Sequence, residues 1–106
     1  MRLLSNEKPY IAPEDGYTLE ALELLPCGVL KEDESFVLVR YESLNPEVIE
    51  GDLFCLTVEE AIEAAELYYR VKRTSWYLEG DEYSKNSLET NIRIVLKYHF
   101  DNIKNR

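Results

Sequence analysis

Glycine is scarce and scattered in this chain. The four glycines stand at positions 16, 28, 51 and 80, too far apart to form a loop that cradles phosphate, so the common nucleotide-binding fingerprints are excluded. Histidine occurs once, as His99, and cysteine twice, as Cys27 and Cys55. A structural zinc site takes four such ligands, commonly at close spacing, and the chain has three in total. Positions 81, 83 and 85 are Asp, Tyr and Lys, where a calcium loop needs oxygen ligands. Long apolar runs are missing too. Uncharged apolar stretches such as Leu53-Phe54-Cys55-Leu56-Thr57-Val58 fall far short of the roughly 20 residues of a membrane-spanning helix. The first residues, Met1 to Glu7, meet acid too soon for a secretory leader. The expected location is the cytoplasm, where both cysteines are expected to be reduced, buried small hydrophobes.

Acid is what the chain has in excess. Its formal net charge is −9 over 106 residues. Residues 1–66 hold 16 of the 21 acids and 4 of the 12 bases, for a net of −12, whereas residues 67–106 carry a net of +3. Such a balance argues against direct nucleic-acid binding and against anionic membranes, because both partners are negative themselves. Eight of the twelve aromatics are Tyr, which suits core margins and interfaces.

Along the chain, Pro9, Pro13 and Gly16 predict a loosely ordered arm over residues 1–16 of a single 1–106 domain. Residues 18–25 are strong helix formers with Leu19, Leu22 and Leu25 on one face, ended by Pro26; the reading is helix, with an extended strand as the alternative. Gly28-Val29-Leu30 and Ser35 to Tyr41 read as a hairpin around the charged turn Lys31 to Glu34. Asn45-Pro46 breaks the second strand, and a short strand from Asp52 to Leu56 follows. Thr57-Val58-Glu59-Glu60 is a capping box opening a helix to about Arg73, with Val58, Ala61, Ile62, Ala65, Tyr69 and Lys72 facing the core and Glu66/Arg70 as an i, i+4 pair. Residues 75–78 read as a short strand and 80–86 as a polar loop. The segment 87–104 carries both a helical stripe and a strand-like alternation, and its length favours helix, with Asn86/Glu89 as the box and Glu89/Arg93 and Lys97/Asp101 as ion pairs. The expected fold is therefore α+β: a small antiparallel sheet packed against two main helices.

No constellation of catalytic residues stands out, so the expectation is a non-enzymatic protein without cofactor or metal. A cysteine paired with His99 would make a nucleophile, but His99 lies on an apolar helical stripe, where packing is the commoner role. The run from Arg70 to Tyr77 interleaves bases with aromatics, yet cations gather at a helix C-terminus in any case and Trp76 reads as core. The functional expectation rests on the acids: an acidic binding protein that covers a basic surface of another protein, in its concrete form an inhibitor standing in for phosphates on a nucleic-acid-binding enzyme. The expected interface is Glu32, Asp33, Glu34, Tyr41, Glu42, Glu47, Glu50 and Asp52. The alternative is a small self-associating adaptor or subunit, as a homodimer, since the −12 part of one copy complements the +3 part of another.

Overall fold

A computed structural model of the protein describes residues 1–30, 32–80 and 86–104. They form β1 (Leu3–Ser5), β2 (Ala21–Pro26), β3 (Phe36–Leu44), β4 (Glu47–Cys55), α1 (Val58–Tyr69), β5 (Trp76–Leu78) and α2 (Leu88–Lys104), with single 3-10 turns at Pro13–Asp15 and Arg73–Ser75. The strands make one antiparallel sheet in the order β4-β3-β2-β1-β5. The expected α+β class is the observed one, with both helices on one face of the sheet.

Four expectations about the strands are corrected. Residues 18–25 give a strand, because β2 lies inside the sheet between β1 and β3 and both its faces are covered: Leu22 and Leu24 point to the helices, and Ala21 and Glu23 are buried on the other side. Helix propensity is a weak preference that such two-sided burial overrides. The loosely ordered arm at 1–16 supplies β1, an inner strand whose Leu3 and Leu4 are fully buried. Gly28 to Leu30 form no strand; the hairpin partner of β3 is β2, and residues 27–30 and 32–35 lie in the connection between them. β4 also begins earlier than Asp52, at Glu47, directly after the turn at Asn45-Pro46, whose peptide bond is cis.

The helices follow local chemistry closely. Thr57 Oγ1 accepts from the Glu60 amide at 3.2 Å, and the Glu60 carboxylate accepts from the Leu56 amide at 2.9 Å. Ala61, Ile62 and Ala65 are buried as the stripe predicts, whereas Lys72, expected on the same stripe, lies past the helix end and is exposed. The helix stops at Tyr69, short of Arg73, because Arg70 turns left-handed (φ 57°) and its amide closes on Ala65 and Glu66 carbonyls. The Arg70 guanidinium stacks 3.8 Å over the Tyr10 ring instead of meeting Glu66. In α2 the cap is Ser87, whose hydroxyl accepts from the Thr90 amide at 3.2 Å. Glu89 meets Arg73 instead of Arg93, and Lys97/Asp101 pair at 3.7 Å. Arg73 also holds Glu59, so one guanidinium ties the first turns of both helices together. β5 sits where 75–78 was read, with Trp76 buried. The expected polar loop at 80–86 falls mostly at 81–85, outside the described residues.

The main core fills the space between sheet and helices, around Leu3, Leu22, Leu24, Phe36, Leu38 and Ile62. A second, smaller cluster of Leu4, Val39 and Tyr41, flanked by Val37 and Leu44, lies on the helix-free face. The β3–β4 hairpin makes that second cluster possible. Two register shifts leave Glu50 and Glu42 without an opposite residue, and such bulges bend a hairpin and sharpen its twist. Glu47, at the start of β4, thereby reaches Arg2 ahead of β1, three strands away in the sheet order.

Candidate functional site

The eight expected interface residues do not share one patch. Glu32, Asp33 and Glu34 precede the first residue of β3, while Glu42 and Glu47 flank its last. A nine-residue strand separates the two groups by roughly 26 Å at about 3.3 Å per residue. At the hairpin end the carboxylates work within the fold. Glu47 and Glu79 hold Arg2 at 3.4 and 2.6 Å, Glu50 holds Arg40, and Glu20 accepts the Leu44 amide. Tyr41 is 4% exposed and donates its hydroxyl to buried Glu23, so it offers no side chain to a partner, contrary to expectation.

The loop end is different. Among the described residues no ion pair reaches exposed Glu32, Asp33 or Glu34. The loop that carries them is held firmly. Cys27 N–H donates to Ser35 O at 3.0 Å, Asp33 N–H to Leu30 O at 2.9 Å, and Ser35 N–H to Asp33 Oδ1 at 3.2 Å. His99 Nε2 donates to Gly28 O at 2.6 Å, which pins the loop to α2. Gly28 is required here: a Cβ would lie 1.8 Å from the Asp33 carbonyl oxygen. Val29 and Leu30 stand 72% and 62% exposed on this fixed frame.

Beside the loop, register places Leu25, Val37 and Phe54 directly abreast on β2, β3 and β4. Residues opposite one another share a sheet face, and this row shares the helix-free one with Val39 and Tyr41. It crosses roughly 10 Å of sheet at strand spacing. Leu25 and Phe54 are exposed, Val37 half-buried. Asp52, opposite Val39, flanks the row on the same face. Sequence reasoning missed this row. The run Phe36 to Val39 signalled a strand covered on both faces, and only the arrangement of strands and helices shows that one face stays open at Val37.

On its other side Leu25 borders a cleft of about 460 Å³ between β2 and α2, whose walls include Leu24, Val29, Val95 and Ile103 and which reaches Glu23. Glu23 is 3% exposed. Burial pushes its carboxyl pKa up, against the opposing effects of the Tyr41 hydrogen bond and the Arg2 charge. The Tyr41 hydroxyl is raised as well, by burial and by the acceptor it serves.

Both cysteines are free thiols. Cys55 is buried and burial raises its pKa, which disfavours the thiolate. Cys27 Sγ lies 3.4 Å from Ser35 Oγ, and His99 is committed to the Gly28 carbonyl. Among the described residues no group of three or more His, Cys, Asp or Glu is placed to hold a metal ion, and no helix is long and apolar enough to cross a membrane. Comparison with known proteins yields no matching family model, no matching curated protein and no matching solved structure.

Proposed function

We propose that this chain is a non-enzymatic acidic binding protein that docks on a basic surface of another protein through the loop end of its sheet. The carrying observation is the open row Leu25, Val37 and Phe54 lying beside the exposed Glu32, Asp33 and Glu34. An apolar centre with a charged rim is the usual anatomy of a protein interface. The centre supplies affinity by leaving water, and the rim selects a partner of opposite sign and speeds encounter. Pre-organisation helps as well, because a loop fixed by Gly28 and His99 loses little freedom on binding. In the concrete form of this reading the partner is a nucleic-acid-handling enzyme, and the three loop carboxylates occupy positions that phosphates otherwise take.

The test is affinity capture from host-cell lysate with three baits: the native chain, Phe54→Ser, and the triple variant with Ser at 32, 33 and 34. A specific basic protein should be captured by the native chain alone and released at about 0.5 M salt, where screening is nearly complete. Added duplex DNA should compete if the partner handles nucleic acid. Equal capture by all three baits removes the loop end from the interface. Light scattering decides against the adaptor alternative if the chain stays monomeric from low to high salt.

A further inference from the structure

We infer that the outer edge of β4 takes an extended segment of the basic partner as a sixth, antiparallel strand, with a lysine or arginine opposite Asp52 and an apolar residue two positions before it, opposite Phe54. This rests on the proposed docking at the loop end and gives it a mode, because the added strand carries the apolar row of Leu25, Val37 and Phe54 one strand further.

The register fixes which backbone groups face outward. Cys27 N–H donates to Ser35 O, and this pair continues the register in which Leu25 faces Val37 and Glu23 faces Val39. Opposed residues of an antiparallel pair alternate between those that exchange hydrogen bonds and those that do not. Ser35, Val37 and Val39 therefore turn their N–H and C=O toward β2. Phe36, Leu38 and Arg40 turn theirs toward β4, onto Cys55, Leu53 and Gly51. The Ser5 hydroxyl, which accepts from Leu22 N–H at 2.9 Å on the β1 side of β2, agrees with this phase. The N–H and C=O of Asp52 and of Phe54 are left to the outer edge. β4 is the last strand of the sheet, exposed along Glu47–Glu50 and Asp52–Phe54. Among the described residues no loop backbone takes up these groups.

This half of β4 is regular and unblunted. Gly51 to Cys55 pair with β3 residue for residue, because both register shifts lie beyond Gly51, toward the hairpin turn. Sheets avoid stray pairing with short edges, prolines and lysines. The opposite edge, β5, has three residues, whereas β4 has nine and contains neither proline nor lysine. Its restraint is acid. Full-length antiparallel pairing of two copies centres on Gly51 and sets Glu50 against Asp52 twice, and like charges opposed across strands are destabilising. That disfavours a second copy and favours a segment that carries cations. Asp52 shares the helix-free face with Phe54, and among the described residues no ion pair reaches it. Opposed residues share a face, so the partner's cation and its apolar residue stand two positions apart. Leu53, 39% exposed on the other face, takes an apolar residue between them.

Two-dimensional NMR of the native chain with the capped peptide Lys-Thr-Val-Val-Lys-Thr-Lys tests the added strand without the partner. The first valine falls opposite Phe54 and the lysine after the valines opposite Asp52. Saturable shifts and slowed exchange are expected at the Asp52 and Phe54 amides, with Leu53, already bonded to β3, as the internal reference. N-methylation of the first valine removes a bond to β4 and should weaken binding about ten-fold. N-methylation of the second, whose N–H points away from β4, should change it by less than about two-fold. Glutamate in place of the lysine opposite Asp52 should cost about ten-fold, and Asp52→Lys, at an exposed position, should reverse that preference. No saturable binding, equal loss from the two N-methylations, or unchanged Asp52 and Phe54 amides overturns the inference. Lysate capture reports separately. Capture that the saturating peptide fails to displace leaves the docking reading standing and removes the added strand, whereas equal capture by the native, Phe54→Ser and loop-variant baits removes the docking reading itself.

Discussion

The two ends of β3 carry similar carboxylates and use them in opposite ways. At the hairpin end, Glu20, Glu47 and Glu50 each have a partner inside the molecule, and the bulges at Glu42 and Glu50 curl the hairpin over Tyr41 and Leu4. At the loop end, Glu32, Asp33 and Glu34 project from a hydrogen-bonded frame beside the exposed Leu25 and Phe54. Identical residue types therefore stabilise the fold in one place and are available for binding in the other. The difference lies in which basic and amide groups the chain topology brings within reach.

Substitutions should separate the two ends. The largest effect is expected from Tyr41→Phe, which leaves buried Glu23 without its donor. Stability should fall by about 1–3 kcal/mol, read as a lower denaturation midpoint with unchanged slope. Gly28→Ala should come close behind, at about 1–3 kcal/mol, because its Cβ meets a backbone carbonyl that cannot move aside. Gly51 sharpens the comparison. There a Cβ meets only the tip of the Arg40 side chain, 2.1 Å away, which can swing off, so Gly51→Ala should cost under about 1 kcal/mol, mainly through the Arg40/Glu50 pair. A Gly51 variant as unstable as the Gly28 variant would show the hairpin end to be as rigid as the loop.

Replacing Glu32, Asp33 and Glu34 together with Ser should move stability by no more than about 0.5 kcal/mol while abolishing capture of the partner. A large stability loss would mean that the loop acids serve the fold as the hairpin acids do. The pH dependence is the finest test. Burial raises the Glu23 pKa, so the stability of the fold with respect to this group is full below the ordinary carboxylate range and is lost as pH rises through the raised value. Glu23→Gln should gain on the native chain as pH rises from about 4 to 7 in denaturant titrations. Glu79, held low by its hydrogen bond from Arg2, acts in the reverse sense: its contribution is present at neutral pH and is lost on acidification.

Legibility in the sequence tracked the range of the interactions involved. The Thr57 box, the first turns of the α1 stripe and the break at Asn45-Pro46 involve residues a few positions apart, and each appears where the pattern put it. The end of α1 was misplaced because the Arg70 stack on Tyr10 joins residues distant in sequence. β2 was misread for a related reason. Its leucines favour helix in isolation, and only pairing with β3 on one side and β1 on the other makes the strand the better burial. Of the expected interface, the loop acids are exposed as a charged turn should be, whereas Tyr41 resembled a surface aromatic until Glu23 was seen beneath it.

Residue chemistry alone set the α+β class, the lopsided charge, the first helix and the absence of a phosphate-binding loop, since each follows from composition or from neighbours within one or two turns. Tertiary structure decided which carboxylates are neutralised and which stay open, why Gly28 has no substitute, and where apolar side chains face water. Those outcomes depend on strands meeting across long stretches of chain, and the energy of such a meeting belongs to the pair of surfaces and to neither segment by itself.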